Sequence, residues 1–124
     1  MVARIGQWTL DVRDVEAMAR FWSGALGYRI EAGGDGNAKL FPPFEAPPDV
    51  PTVWLQATAG PKAGKNRLHP DLLADGNVDA EVERLVGLGA RRADVGQTGG
   101  EAFVVLADPE GNEFCVLRRR PRDG

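Results

Sequence analysis

The stretch DVEAMARFWSGALG, residues 14–27, carries the first clear signal of the fold. Asp14 is a good helix N-cap, and apolar residues then recur at three- and four-residue spacing along one face. Gly27 provides a stop at the C-terminal end. Strand-like segments surround this helix, one before it and three after it, at residues 5–12, 28–32, 38–41 and 52–58. The first half of the chain is therefore predicted to be βαβββ.

The same order of elements recurs in the second half. A predicted helix, residues 78–88, ends at Gly89. Strands are predicted around it, at residues 67–74, 90–95, 101–107 and 113–118. The segment DPEGN, residues 108–112, suits a type I turn and predicts a hairpin between the last two strands. We expect one α+β domain, residues 1–124, built from two tandem βαβββ modules at about 4–59 and about 66–119.

Composition excludes several classes of function. The 124 residues include 18 acidic and 15 basic side chains, one Cys and one His. A single Cys cannot form an internal disulfide, and the chain cannot supply a zinc site that needs several Cys and His. The net charge of -3 argues against nucleic-acid binding. No apolar run reaches the ~20 residues of a membrane span, and no signal peptide is recognisable, so we expect a cytoplasmic protein.

Polar side chains concentrate on one predicted face of the strands. Because alternate residues of a strand point to opposite sides, the face away from each helix is unusually polar. We expect it to carry Gln7, Thr9, Trp54, Gln56, His69, Asp71 and Cys115. If the two sheets curl toward one another, this face lines a cleft for a small molecule. The alternative is that it is the solvated outside of an open sheet.

His69 and Asp71 are the candidate catalytic residues. Two positions apart on a strand, their Cα atoms would lie about 6.6 Å apart with both side chains on the same side. An Asp beside a His can orient the ring for acid–base work, whereas the plainer alternative is a structurally hydrogen-bonded histidine. Cys115 invites comparison with a nucleophile but is more typical of passive burial.

Three aromatic residues form a second group of candidates. Trp54 is placed on the polar face, where it could stack on a flat ligand. Phe41 and Phe44 flank the two prolines at 42–43 in a long loop. They could cap a ligand, close a dimer interface, or pack under the loop. Trp8 is expected in the helix-facing core together with Trp22.

Taken together, these motifs resemble the vicinal-oxygen-chelate superfamily, the glyoxalase, bleomycin-resistance and extradiol-dioxygenase group. The chain looks closest to the short bacterial branch called glyoxalase-like domains. The resemblance implies a curled mixed sheet around a cleft, with helices outside, and a homodimer. It rests on Asp14 to Trp22 with Leu26-Gly27-Tyr28, on Leu68-His69-Pro70-Asp71-Leu72, on Leu88-Gly89-Ala90, and on Asp108 to Phe114.

In metal-dependent members of this superfamily, four cleft side chains hold the ion. The resemblance carries those positions over to Gln7, Gln56, His69 and Cys115. Both family carboxylates are missing, and hard divalent ions prefer anionic oxygen ligands. No cofactor is therefore expected. A divalent metal is the alternative, with Asp71 and Glu113 as neighbouring carboxylates that could compensate.

Three functions of different class follow. The first is a metal-independent domain that binds a small organic molecule through Gln7, Thr9, Phe41, Phe44, Trp54, Gln56, His69 and Cys115. The second is an enzyme, a lyase or isomerase that uses His69 with an atypical or absent metal. The third is an interaction module with a vestigial cleft. The missing carboxylates favour the first over the second.

Overall fold

The two helices begin and end where the sequence predicts. The computed structural model describes residues 1–33, 35–93 and 101–123. Helix α1 spans Val15–Leu26, and the Asp14 side chain accepts a hydrogen bond from the backbone N–H of Ala17 at 3.0 Å. Gly27 ends it in the left-handed conformation, φ 72°, which glycine adopts without steric cost. Helix α2 spans Val78–Leu88, with Asn77 as its N-cap.

Four strands accompany α1. They are β1 (Gln7–Asp11), β2 (Arg29–Ala32), β3 (Ala38–Phe41) and β4 (Thr52–Gln56). The sheet order is β1-β4-β3-β2, with β1 and β4 parallel and the other pairs antiparallel. A parallel pair needs a long crossover connection, which α1, β2 and β3 provide.

Four more strands accompany α2. They are β5 (Asp71–Leu73), β6 (Arg91–Arg92), β7 (Phe103–Ala107) and β8 (Glu113–Leu117). The order β5-β8-β7-β6 repeats the arrangement of the first sheet, and β5 and β8 are again parallel. The far end of the predicted strand 90–95 lies outside the described residues.

The chain divides into two compact units, Met1–Pro61 and Lys62–Gly124. Among the described residues, each unit contains one four-stranded mixed sheet and one α-helix, and a short 3-10 helix, Pro121–Asp123, follows β8 in the second unit. The predicted α+β class and the tandem βαβββ order are thereby confirmed. Within the described part of the chain, neither helix has the length and apolar character needed to cross a membrane.

Each unit has its own apolar core beneath its helix. In the first unit Trp22 is buried as predicted, and its ring meets that of Phe21 edge to face, with centroids 5.1 Å apart. The prediction that Trp8 joins this core is wrong, because its side chain is 45% exposed. Strand β1 is an edge strand, and Trp8 lies near its start. The second core contains Val82, Leu85, Leu106, Phe114 and Val116.

Strand β5 is much shorter than the predicted strand 67–74. Pro70 has no backbone N–H to donate, so regular pairing begins only after it. Its carbonyl still accepts a hydrogen bond from the backbone N–H of Cys115 at 3.0 Å. Leu68, expected to pack under the helix, is consequently 69% exposed. His69 lies just before the strand and not within it.

The predicted hairpin between β7 and β8 is confirmed. The backbone N–H of Gly111 donates to the carbonyl of Asp108 at 2.9 Å, which closes the turn. The Asp108 side chain is fully buried and accepts hydrogen bonds from the backbone N–H groups of Glu110 and Asn112. The Asn112 amide donates to it as well. This buried carboxylate therefore fixes the turn that starts β8.

Candidate functional site

The open face of the first sheet, the side away from α1, combines polar and aromatic side chains. Thr9 pairs directly with Trp54, and Lys39 pairs with Trp54 from the other side. These three residues form a row across β1, β4 and β3. Gln7 and Gln56 lie two positions away along β1 and β4, on the same face by strand alternation. The row thus places a stacking surface between a hydroxyl and an ammonium group.

Gln7 is already engaged within this face. The Thr52 hydroxyl donates a hydrogen bond to the Gln7 carbonyl oxygen at 2.9 Å. That oxygen is the atom through which a glutamine would bind a metal ion. Gln56, the other amide at a candidate metal position, pairs in register with Asp11 at the end of β4.

Phe41 and Phe44, the two candidate aromatic residues of the loop, both lie close to Arg29, which the sequence analysis did not identify. The Arg29 guanidinium lies 3.7 Å from the ring centroid of Phe44 and 5.4 Å from that of Phe41. Its Nε donates to the carbonyl of Pro42 at 3.3 Å. Phe44 is nevertheless 84% exposed, so Arg29 and not a core holds this ring. The sequence signal that could have identified Arg29 is the alternation of side chains along β2 and β3. In the antiparallel pair of these strands, Arg29 lies opposite Phe41.

Three residues with ligand atoms come together in the second unit. The donor atoms of His69, Asp71 and Cys115 all lie within 4.8 Å of one another. The His69 Nε2 atom is 3.5 Å from the Asp71 Oδ1 atom. Asp71 and Cys115 are direct partners in the parallel β5–β8 pair. The structure therefore brings together both candidate catalytic residues and the single thiol.

Cys115 is protonated and sheltered in this arrangement. Cys115 is only 7% exposed. Burial raises the pKa of the thiol to about 11, and the charge of Asp71 and a hydrogen bond to its carboxylate act in the same direction, against a smaller opposing effect of Lys65. A nucleophilic cysteine needs the opposite environment, one that favours the thiolate. The arrangement thus disfavours nucleophilic chemistry at Cys115 in the metal-free protein.

An apolar strip borders this cluster on the same face of the sheet. Val105 pairs with Cys115 on the side away from Asp71. Two residues further along, Leu73 and Phe103 flank Leu117 from both sides. Leu73 and Phe103 both remain exposed. The second unit thus offers hydrogen-bonding groups beside an apolar surface, a combination typical of small-molecule sites.

Glu113 does not take the compensating role that sequence reasoning left open for it. Its carboxylate lies 2.9 Å from the Lys62 ammonium and accepts a hydrogen bond from the backbone N–H of Asn66 at 3.0 Å. Burial alone would raise the pKa of Glu113, but these hydrogen bonds and the Lys62 charge together lower it. The carboxylate is therefore used to tie the start of the second unit to β8.

The donor chemistry at the four family positions does not fit a hard divalent ion. Gln7 and Gln56 are neutral amides, and the Gln7 oxygen already accepts a hydrogen bond. His69 and Cys115 provide nitrogen and sulfur. Manganese and magnesium prefer carboxylate oxygen, and these positions provide none.

Comparison with known proteins gives a consistent family. The family model described as a glyoxalase-like domain matches residues 7–117. No curated protein matches the sequence significantly. Among solved structures, the fosfomycin resistance protein FosX from Mesorhizobium loti shares 20% identity at a TM-score of 0.71, covering 99% of this chain and 97% of its own.

Two further structures have the same fold. A variant of FosX from Listeria monocytogenes, complexed with Mn(II) and 1S,2S-dihydroxypropylphosphonic acid, gives a TM-score of 0.74 at 14% identity, covering 98% of this chain and 94% of its own. A glyoxalase/bleomycin resistance protein/dioxygenase family enzyme from Burkholderia phytofirmans gives a TM-score of 0.66 at 18% identity, covering 92% of this chain and 97% of its own. The matched family model, the tandem βαβββ units and these shared folds establish that the chain belongs to the glyoxalase-like domain family of the vicinal-oxygen-chelate superfamily.

Proposed function

We propose that the protein binds a small, flat organic molecule with an anionic group, without the hard-metal site of its metal-dependent relatives. The observation that carries this proposal is the row formed by Thr9, Trp54 and Lys39 on the open face of the first sheet. An indole ring supports stacking, a hydroxyl supports a hydrogen bond, and an ammonium supports a negatively charged group. Phe41 and Phe44, together with Arg29, extend this face toward the loop.

The charge on Lys39 is available to a ligand. Within residues 1–33, 35–93 and 101–123, no carboxylate lies within 4.0 Å of the Lys39 ammonium, and its register partner on β2 is Glu31. The ammonium lies 5.4 Å from the Phe41 ring centroid. A half-buried ammonium beside aromatic rings binds an anion more strongly than one in bulk water, because screening is weaker. Among the relatives, the Listeria FosX structure holds a phosphonic acid, which supports an anionic ligand class for this chain.

The second unit carries candidate hydrogen-bonding residues of its own. The His69 imidazole is partly exposed beside Asp71, and the strip of Leu73, Leu117 and Phe103 continues the same face. We propose that His69 binds a carbonyl or carboxylate of an organic ligand, with Asp71 orienting its ring. Cys115 lies beneath them as a neutral side chain.

Calorimetric titration in chelator-treated buffer tests this proposal. The probes are fosfomycin, 1S,2S-dihydroxypropylphosphonic acid, bleomycin and a series of aromatic carboxylates. We expect at least one to bind, and Trp54→Ala to weaken that binding about tenfold or more, because stacking contributes about 1 kcal/mol beyond burial. Lys39→Met should weaken binding of the anionic members selectively.

Trp8→Ala is the matched control. Trp8 is exposed in the same unit but lies on the opposite side of the sheet from Trp54 by strand alternation. Its removal should leave affinity unchanged. His69→Ala should abolish binding that depends on the second unit, with almost no change in melting temperature. Equal losses from Trp8→Ala and Trp54→Ala, or no binding by any probe, would contradict the proposal.

A second candidate function is acid–base catalysis by His69. The supporting observation is the 3.5 Å separation between His69 Nε2 and Asp71 Oδ1, an ion-pair distance that places a carboxylate beside the imidazole. In this candidate, a lyase or isomerase, His69 removes a proton from a bound substrate and returns it. Turnover that survives His69→Gln would exclude it. An interaction module with a vestigial ligand site is the remaining alternative, and retained ligand affinity would argue against it.

We also propose that the protein is a cytoplasmic homodimer. Cys115 is a buried free thiol, a state that a reducing compartment preserves. The net charge of -3 favours small molecules over nucleic acid as partners. Exposed apolar side chains, among them Ile5, Trp8 and Phe44, provide surface that a second copy could cover.

A further inference from the structure

We propose that Arg29 is an anion-binding residue and that the ligand of the first sheet carries two acidic groups, one bound by Arg29 and one by Lys39. This inference rests on the proposed function and narrows its ligand to a flat organic dianion, such as an aromatic dicarboxylate. The observation that carries it is a pair of cations at one aromatic ring. The Arg29 guanidinium carbon and the Lys39 ammonium each lie 5.4 Å from the ring centroid of Phe41.

Both cations lie on the open face of the first sheet. Arg29 is the register partner of Phe41, and Lys39 lies two positions from Phe41 on β3. Leu40, between Lys39 and Phe41, is fully buried in the core beneath α1. Strand alternation therefore turns Lys39 and Phe41 to the side that carries Trp54, and Arg29 shares that side as the partner of Phe41.

The loop after β3 holds the Arg29 guanidinium in place before a ligand arrives. Its Nε atom donates to the carbonyl of Pro42 at 3.3 Å, and its Cζ atom lies 3.7 Å from the ring centroid of Phe44. In the described ranges of the chain, its two terminal nitrogens donate no hydrogen bond and no carboxylate forms an ion pair with them. A planar guanidinium in this state binds the two oxygens of a carboxylate end-on, through both terminal nitrogens. Little further ordering of the long side chain is then required.

Two separate acidic groups match this arrangement better than one. Lys39 lies beside Trp54 in the row across the sheet, whereas the loop holds Arg29 on the Phe44 side. Because each cation lies 5.4 Å from the same centroid, the two charges are at most twice that distance apart. A benzene ring with two carboxylates in a meta or para arrangement can stack on Trp54 and extend across such a gap. A single carboxylate would leave one of the two cations without a counter-charge.

Glu31 is the carboxylate on this face that opposes a dianion. It is the register partner of Lys39 and lies two positions from Arg29 on β2. Its side chain is exposed, so it can turn toward solvent when a ligand binds. Repulsion grows with the charge of the ligand. We therefore expect Glu31→Gln to strengthen dicarboxylate binding more than monocarboxylate binding.

Calorimetric titration with benzoate, isophthalate and terephthalate at one fixed ionic strength tests the inference. We expect wild type to bind at least one dicarboxylate about tenfold or more tightly than benzoate, the gain from one further charged hydrogen-bonding pair. Arg29→Gln should reduce this preference to about twofold or less, while benzoate affinity stays within about twofold of wild type. Arg29→Lys should restore only part of the preference, because an ammonium cannot form the bidentate contact.

Arg20→Gln is the matched control, because it removes the same charge from an exposed position on α1, away from the open face. It should leave the dicarboxylate preference unchanged, and circular dichroism of each variant checks its folding. Equal wild-type affinities for benzoate and both dicarboxylates, a preference that survives Arg29→Gln, or an equal loss of benzoate and dicarboxylate binding in that variant would each overturn the inference. Benzoate binding that depends on Trp54 but shows no dicarboxylate preference would overturn it alone and leave the proposed function standing, whereas binding of no probe would overturn both.

Discussion

At the scale of single residues, the Cys115 thiol illustrates how one neighbour sets reactivity. Burial and Asp71 together raise its pKa to about 11. The thiolate that attacks alkylating reagents is then scarce at neutral pH. The same two features, a shielded sulfur and an adjacent carboxylate, make the position unsuitable for a nucleophile.

We expect iodoacetamide to alkylate Cys115 in chelator-treated protein about 100-fold more slowly than an exposed thiol at the same pH. The reason is that a rise of the thiol pKa from 9.0 to about 11 lowers the fraction of thiolate about 100-fold. Asp71→Asn should accelerate the reaction, since it removes the charge that disfavours the thiolate. Asp75→Asn is the control. The prediction is measured by mass spectrometry over time, and a wild-type rate equal to that of the urea-unfolded chain would contradict it.

Glu113 provides the pH-dependent prediction at this scale. Its pKa is lowered in the folded protein, so its contribution to stability is present above the unfolded pKa of about 4.3 and is lost as pH falls through the lower folded value. We expect Glu113→Gln to reduce the free energy of unfolding at pH 7 by about 1 to 2 kcal/mol, as for a hydrogen bond to a charged group.

Urea unfolding of wild type and Glu113→Gln between pH 3 and 7 checks this expectation. The difference in the free energy of unfolding between wild type and Glu113→Gln should shrink as pH falls below about 4.3. Exposed Glu16, in a surface pair with Arg20, is the control position, and Glu16→Gln should have little effect at any pH. A constant difference across the range would show that the Glu113 charge is unimportant.

At the scale of elements, the β7–β8 hairpin depends on one buried carboxylate. Asp108 is fully buried and accepts hydrogen bonds from two backbone N–H groups and the Asn112 amide. Asp108→Ala removes the acceptor of these half-buried donors. A donor left unsatisfied costs about 1 to 3 kcal/mol when it is fully buried, and the packing of the Asp108 side chain is lost as well. We therefore expect Asp108→Ala to destabilise the protein by about 3 kcal/mol or more in urea unfolding. The exposed turn residue Pro109 is the comparison, and a Pro109→Ala loss as large as that of Asp108→Ala would refute the assignment.

The helices could be predicted from sequence to the residue, whereas the strand ends could not. Asp14 and Gly27 are local signals whose chemistry acts within one turn of helix. Strand length depends on partners remote in sequence, and Pro70 shortened β5 by removing one donor. Trp8 was misplaced for a related reason, because its exposure follows from the edge position of β1 and not from its own periodicity.

The candidate site was predictable in part. Strand alternation found His69, Asp71 and Cys115, and the structure brings their donor atoms together. It did not find Arg29 and Lys39, because their significance depends on the register of β2, β3 and β4. The ion pair between Lys62 and Glu113 could not be predicted either, since the two residues are far apart in the sequence.

At the scale of the whole molecule, the resemblance predicts a homodimer. Light scattering coupled to size-exclusion chromatography should give a mass about twice the 13.3 kDa of the chain. Exposed apolar residues such as Trp8 and Leu68 are the surface whose burial would stabilise such a dimer. A single-chain mass at micromolar concentrations would contradict this prediction and leave the binding proposals unchanged.

The division of the chain into two similar units has a consequence for how this protein can evolve. The donors His69, Asp71 and Cys115 belong to one copy of the repeat, and the aromatic and cationic residues Trp54 and Lys39 belong to the other. Each unit has its own helix, its own sheet and its own apolar core. The side chains on the two sheets can therefore be substituted separately.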